Sequence, residues 1–579
     1  MAHDLVIRGG TVVDGTGAER RSADIAIDGE RITAVGRVDG TGRRELDASG
    51  LLVTPGWVDI HTHYDGQVSW DSQLAPSSLH GVTSVVFGNC GVGFAPARNG
   101  ADEHEFLIAL MEGVEDIPGT ALHEGLTWDW ETYPQYLDAL ARRDYTIDLG
   151  SQVPHAALRA YVMGERGANY REAATEAEIG EMSRLVAEAL EAGAMGFATS
   201  RSVNHRSRDG QKIGTLTAGD AEILGIAEAF AATGKGVMQF VTDFKDLDAE
   251  LGLMKAAAVR SGGRPVSVSL IQAEQAPDRW RQVLARIEAA AAEGLDFKAQ
   301  CAPRSVSFLV GLETTMNPLL KCETYRTLGL AALPLAERAR RLADPDLRRT
   351  LLAEAREVRG GFFHLARGNM DKVFRLGSPA DYEPAPEASL GAEARRSGAD
   401  PFELVYDALL ERNGEELLYF PLANYAGGTM DAAREMLLHD RVVPGLSDGG
   451  AHVSFICDAS FPTFLLTHWC RDRTRGEQLP LEFVVRRQTH DTARHIGWHD
   501  RGVLAPGYLA DVNLIDFDNL SLPAPHMIYD LPAGGKRLMQ KPSGYVATLK
   551  RGVVTFEHSE PTGALPGGLQ RGGTPAPSN

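Results

Sequence analysis

Hydrophobic and polar positions alternate along this chain with two different rhythms. Over residues 4–53, short runs such as Leu5-Val-Ile-Arg, Thr11-Val-Val, Asp24-Ile-Ala-Ile and Arg31-Ile-Thr-Ala-Val are separated by turns rich in Gly and Asp. That pattern predicts a small antiparallel β unit. From residue 56 strand-like apolar runs alternate with helical ones, the rhythm of a (β/α) barrel. Candidate strands fall at 56–61, 82–88, 147–153, 194–199, 236–241, 266–271, 296–301 and 442–447, with helical patterns such as 176–192, 221–232 and 278–292 between them. The predicted core is therefore an α/β fold, a TIM-like barrel of eight parallel strands.

The seventh and eighth strands are far apart. Residues 305–440 are rich in Pro, Arg and Leu and read as an inserted helical subdomain that covers the barrel mouth. Strand signals return after residue 500. Residues 1–55 and 500–558 are predicted to pair as one composite β-sandwich beside the barrel of residues 56–499. The tail from 559 to 579 is rich in Gly and Pro and reads as irregular.

Composition narrows the partners. A net charge of −20 argues against nucleic acid or an anionic membrane, both of which need a basic face. No 18-residue apolar run and no charged-then-apolar leader occur, so a cytoplasmic protein acting on a small molecule is expected. Homo-oligomerisation is left open. The five cysteines are odd in number, irregularly spaced and free of any C-x-x-C pair, which excludes a disulfide framework and makes a zinc knuckle unlikely.

The chemistry starts at Gly56-Trp-Val-Asp-Ile-His61-Thr-His63. Side chains at i and i+2 of a strand point the same way. His61 and His63 can thus reach one metal ion at the C-terminal mouth of a barrel, where such folds keep their chemistry. The competing reading is a pair of histidines that pack or cap a turn.

Several motifs resemble the amidohydrolase superfamily and, within it, the D-aminoacylase (N-acyl-D-amino-acid deacylase) group. They are the opening Leu-Val-Ile-Arg-Gly-Gly-Thr-Val-Val-Asp-Gly-Thr-Gly, Pro55-Gly-Trp-Val-Asp-Ile-His-Thr-His, Gly81-Val-Thr-Ser-Val-Val-Phe-Gly-Asn-Cys90-Gly, Leu446-Ser-Asp448-Gly-Gly and Gly502-Val-Leu-Ala-Pro-Gly-Tyr-Leu-Ala-Asp-Val. The resemblance runs nearly end to end. It implies that His61 and His63 ligate the more exposed metal, that Asp448 ligates it and acts as general base, and that Cys90 supplies a thiolate. Imidazole, carboxylate and thiolate together suit zinc.

The chain also departs from that group. The resemblance implies histidines at the ends of strands five and six, but the chain has Val237-Met-Gln239 and Ser267-Val-Ser269-Leu270-Ile-Gln272 there. No lysine stands at the end of strand four. About one zinc per chain is therefore expected. Substrate-side candidates are Arg201, His205 and Arg206 in the loop after strand four, Gln239, Gln272, Arg304 after strand seven, and His452 after Asp448. Arginine suits a bidentate grip on a carboxylate. The function expected is hydrolysis of an amide C–N bond in an N-acyl-(D-)amino acid or a related carboxylate-bearing amide. The alternatives are a cyclic amide or imide hydrolase, a deaminase, or a non-catalytic scaffold of the same fold.

Overall fold

The computed structural model describes residues 2–578. Eight parallel strands form one sheet: β1 (Trp57–Asp59), β2 (Val82–Phe87), β3 (Asp148–Pro154), β4 (Gly196–Arg201), β5 (Val237–Thr242), β6 (Val266–Leu270), β7 (Phe297–Cys301) and β8 (Val442–Pro444). Each pairs with the next in chain order, β8 lying beside β7. They fall where the apolar runs put them. β2 and β3 are buried along their whole length, as strands covered on both faces must be. The ends of β1 and β8 close the barrel through a parallel bridge between Thr62 and Gly449.

Helices cover the outside, and their sequences say why they start and stop. Helix Glu176–Ala192 is framed by a capping box: Glu178 N–H donates to Thr175 Oγ1 at 3.3 Å, and Thr175 N–H donates back to Glu178 Oε2 at 2.7 Å. Gly193, at φ 112°, ends it. Met182, Leu185, Val186, Ala189 and Leu190, spaced for one helical face, are its buried side.

Strands from both chain ends join side by side in a nine-stranded sheet. Leu52–Pro55 lies parallel to His3–Val12 on one side and antiparallel to Val512–Ile515 on the other. The chain leaves this sheet through Gly56, whose N–H donates to Asp511 O at 2.9 Å, and enters β1 at the next residue. The barrel's first strand is thus rooted in the smaller sheet. A buried charge cluster joins the same two units: Asp148 of β3 meets Lys550 at 2.8 Å and Arg501 at 2.7 Å. These cations hold its carboxyl far below the usual range against the cost of burial. The described residues after 560 contain no helix, but they dock on the barrel, with bridges from Gly567 to Tyr145 and from Thr574 to Trp498.

The excursion between β7 and β8 has its own apolar core, including Leu319, Leu351, Phe362, Val405 and Leu409. Its helices Pro345–Glu357 and Pro401–Leu410 start on Asp344 and Asp400, each accepting two backbone N–H groups ahead of a proline. The excursion is not purely helical. Val306–Val310, Leu418–Ala423 and Phe374–Arg375 form a three-stranded antiparallel sheet within it. The sequence pattern hid those strands because they are short and pair across long insertions. Among the described residues no helix is long and apolar enough to cross a membrane, and all five cysteines are free.

Candidate active site

The chain after β1 stays extended and hydrogen-bonds to both neighbours. Thr62 N–H donates to Val86 O at 3.1 Å, His63 N–H to Gly449 O at 2.8 Å, and Asp448 N–H to His61 O at 3.1 Å. His61, His63 and Asp448 are therefore fixed by the hydrogen bonds that close the barrel. Ser447 tightens the seam further, donating to Asp59 Oδ2 at 2.5 Å.

Cys90 reaches the same point from β2 through a turn held by its neighbours. Asn89 Nδ2 donates to Thr62 O and Val86 O, and its Oδ1 accepts from Gln152 Nε2 at 2.9 Å. Gly88 takes φ 84°, and a Cβ there would stand 2.2 Å from Gln152 O. Cys90 itself has φ 56°, and Asp448 and His452 have φ 49° and 48°. Asp and His tolerate left-handed backbone better than most residues, so the strain that the surroundings must hold in place lies at Cys90.

One ligand atom each from His61, His63 and Cys90 lies within 4.8 Å of the others. Cys90 Sγ is 3.6 Å from His61 Nε2. Asp448 Oδ1 is 3.4 Å from His61 Nε2 and 3.5 Å from His63 Nε2. Zinc–ligand bonds of about 2.0–2.3 Å in a tetrahedron give edges of about 3.3–3.8 Å. Both ring nitrogens of His63 are buried without a hydrogen bond among the described residues. Burial pushes His61 down to about 4 and His63 to about 3, and burial pushes the Cys90 thiol well up. These residues fit a divalent metal.

Three residues that sequence reasoning missed surround this set. Gln300 of β7 accepts from His61 Nδ1 at 2.6 Å and is itself held by Ser267 at 2.7 Å. Asp65 accepts from Gly88 N–H at 3.2 Å, and burial raises it to about 8. Glu115 is buried beside His63 and His452. Gln300 and Asp65 carried a signal, one at a strand end and the other in register with His61 and His63. Glu115 carried none.

The substrate-side candidates separate. His205 Nδ1 pairs with Ser200 Oγ at 2.8 Å, and burial, with His63 next, pushes it down to about 4. His452 stands over the site, lowered to about 4 by burial, with the Asp448 charge opposing. Gln239 is buried with both amide atoms unpaired among the described residues. It lies beside Ser267 in the β5–β6 ladder and therefore faces the barrel interior as Ser267 does.

The other four are occupied or remote. Arg201 Nε pairs with Glu250 at 3.0 Å, and its Nη1 donates to Ala218 O at 2.6 Å. Arg304 is buried, pairs with Asp458 at 2.6 Å and stacks 3.8 Å above the Tyr382 ring. Gln272 Oε1 accepts from Ala426 N–H and its backbone N–H donates to Asn424 Oδ1, so it braces the loop after Leu418–Ala423. Arg206 is exposed and, among the described residues, has no carboxylate partner; its Nη1 donates to Gly210 O at 3.0 Å.

An eight-stranded parallel barrel with this donor set at its closing seam defines a metal-dependent hydrolase. Residues 44–556 match the amidohydrolase family. The chain belongs to that family, whose members like this one act on carbon–nitrogen bonds other than peptide bonds. It is 27% identical over 519 residues to a D-aminoacylase of Alcaligenes xylosoxydans xylosoxydans, covering 89% of this chain and 88% of that one. An N-acyl-D-glutamate deacylase of the same organism is 28% identical over 529 residues, again covering 89% and 88%. The structure of N-acyl-D-glutamate deacylase from Bordetella bronchiseptica, complexed with zinc and a phosphonate mimic of the tetrahedral intermediate, superposes with a TM-score of 0.63 at 25% identity. That match covers 99% of this chain and all of the other.

Proposed function

We propose that this protein hydrolyses N-acyl amino acids, of the D series or a close analogue, with one divalent metal per chain, zinc the first choice. The observation that carries the reading is the convergence of His61, His63 and Cys90 at the barrel mouth, with Asp448 Oδ1 beside the two histidines. The names of the relatives favour the substrate class. Held by those four residues, the ion would supply the positive charge that acidifies a water and polarises a carbonyl.

Asp448, a quarter exposed at the mouth, accepts a proton from the attacking water as the new C–O bond forms. It returns that proton to the nitrogen as the C–N bond breaks, leaving a carboxylic acid and a free amine. His205 and His452 face the site with imidazoles able to hydrogen-bond the oxyanion. Gln239 stands where the resemblance implies a histidine. Its unpaired donor and acceptor suit the amide of a substrate, since a buried polar group left alone costs about 1–3 kcal/mol. The absence of histidine on β5 and β6 supports one metal rather than two.

A second reading, a neutral cyclic amide as substrate, is favoured by one observation. Arg201 and Arg304 are already spent on Glu250 and Asp458. Elemental analysis, followed by a screen of N-acetyl amino acids of both hands and of cyclic amides, tests both readings. One metal equivalent with turnover of the acylated acids is expected. Two equivalents would sink the one-metal claim, and turnover of cyclic amides alone would replace the substrate class.

A further inference from the structure

Glu115 ends helix Ala101–Glu115, in the excursion between β2 and β3, and is 1% exposed. Its Oε1 lies 3.4 Å from Nδ1 of His63, and its Oε2 lies 3.5 Å from Nε2 of His452. Its backbone carbonyl accepts from His452 N–H. Neither its Oε1 nor either nitrogen of His63 has a hydrogen bond among the described residues. No lysine or arginine pairs with it there. A buried carboxylate is rarely left without a partner.

The two metal-site histidines are oriented alike. His61 turns Nδ1 to Gln300 Oε1 at 2.6 Å and Nε2 toward Asp448 Oδ1. His63 turns Nδ1 to Glu115 Oε1 and Nε2 toward the same Asp448 oxygen. A histidine that ligates a metal commonly donates its other ring N–H to a carboxylate or carbonyl, which sets its tautomer. Gln300 fills that place for His61. Glu115 is not itself one of the converging donors, which among the described residues are His61, His63 and Cys90.

We propose that Glu115 is the positioning residue of His63, accepting a hydrogen bond from its Nδ1–H so that the Nε2 lone pair faces the metal. The same residue, through its second oxygen and its carbonyl, ties the loop after β8 at His452 to the β2–β3 excursion. The inference rests on His63 being a metal ligand. It assigns a role to a residue from a part of the chain that carries no recognisable site motif.

The test is zinc affinity, read by competition with a chromogenic chelator on the full chain, with the fold of each metal-free variant checked by circular dichroism. Glu115→Leu is expected to weaken zinc binding about 10–100-fold. Glu115→Gln keeps an acceptor oxygen and is expected to stay within about five-fold of the parent. In a His63→Ala background, Glu115→Leu is expected to add no further loss, an outcome that a merely structural role would not produce. If Glu115→Leu fails to fold, Glu115→Ser against Glu115→Gln carries the comparison. If His63→Ala weakens zinc binding while Glu115→Leu leaves it unchanged, the inference falls and the metal site stands. A ten-fold further loss in the His63→Ala background also overturns it. If His63→Ala leaves affinity unchanged, the underlying reading of His63 fails instead.

Discussion

Asp448 donates its peptide N–H to the carbonyl of His61 at 3.1 Å and sets its Oδ1 3.4 Å from Nε2 of the same histidine. This pair thus takes part in closing the barrel and lies in the candidate site. The first and last strands meet there, so the geometry of the site depends on the register of closure. Asp448 adopts φ 49° to achieve this. Asp and Asn are among the few non-glycine residues that take such a conformation readily.

Asp448→Asn should therefore keep the fold and lose the chemistry. The backbone bond to His61 and the left-handed φ both survive the change, while the proposed proton acceptor is gone. Turnover is expected to fall by roughly 10²–10⁴-fold, with a thermal unfolding midpoint close to the parent. Activity near that of the parent would transfer the base role to another group, His452 first.

Gly88→Ala should break the Cys90 turn. Its φ of 84° disfavours a side chain, and the added Cβ would meet Gln152 O at 2.2 Å. A loss of at least about 1–3 kcal/mol in a denaturant melt is expected. Weakened zinc retention should accompany it, because Cys90 is carried by the same turn. An unchanged melt would show that the backbone of β3 can give way.

Arg201 and Arg206 should behave differently, although they lie in one loop. Arg201→Ala leaves the largely buried Glu250 without its partner and is expected to cost about 1–3 kcal/mol of stability. Substrate preference should not move. Arg206→Ala touches no ion pair among the described residues and should change stability by less than about 0.5 kcal/mol. If Arg206 anchors a substrate carboxylate, kcat/KM on N-acyl amino acids should fall about ten- to hundred-fold, with the corresponding neutral amides spared. Equal effects on both substrates would favour the cyclic-amide reading.

Two buried groups, His80 and Glu222, should each lose a contribution to stability as pH falls. His80 is buried, and burial pushes it down to about 3. The unfolded chain then binds the extra proton first, so stability is complete above about 6.5 and falls as pH drops. The loss is about 3 kcal/mol by pH 4. Glu222 is lowered to about 2; burial opposes this shift, and the bonds and charges of His155 and Arg159 outweigh it. Its contribution is complete above about 4.5 and is lost as pH falls toward 2. His80→Gln should reduce the dependence of stability on pH by that share in urea melts between pH 7 and 4. A slope unchanged by that substitution would place the linked proton elsewhere.

Barrel strands such as Val82–Phe87 were legible as apolar runs because they are buried on both faces, and Val266–Leu270 because it alternates with the period of a strand. The three strands inside the excursion, such as Val306–Val310, were not, since a short strand paired across more than a hundred residues has no local signature. His61 and His63 were legible as a pair because the period of a strand is local. Arg201 and Arg304 read as free cations because a sequence names charges without their partners, here Glu250 and Asp458.

The sequence by itself determined the barrel, the joining of the chain ends, and the types of donor available at the mouth. These follow from periodicity, turn chemistry and residue identity, all written within a few neighbouring positions. Only the tertiary structure decided that Gln300 turns His61, 239 residues away along the chain. It alone brought Glu115 against His63 and left Gln239 unpaired inside the barrel. Such contacts depend on barrel register and on how a long excursion folds back, and hydrogen bonds that form across a closed sheet leave no trace in local pattern.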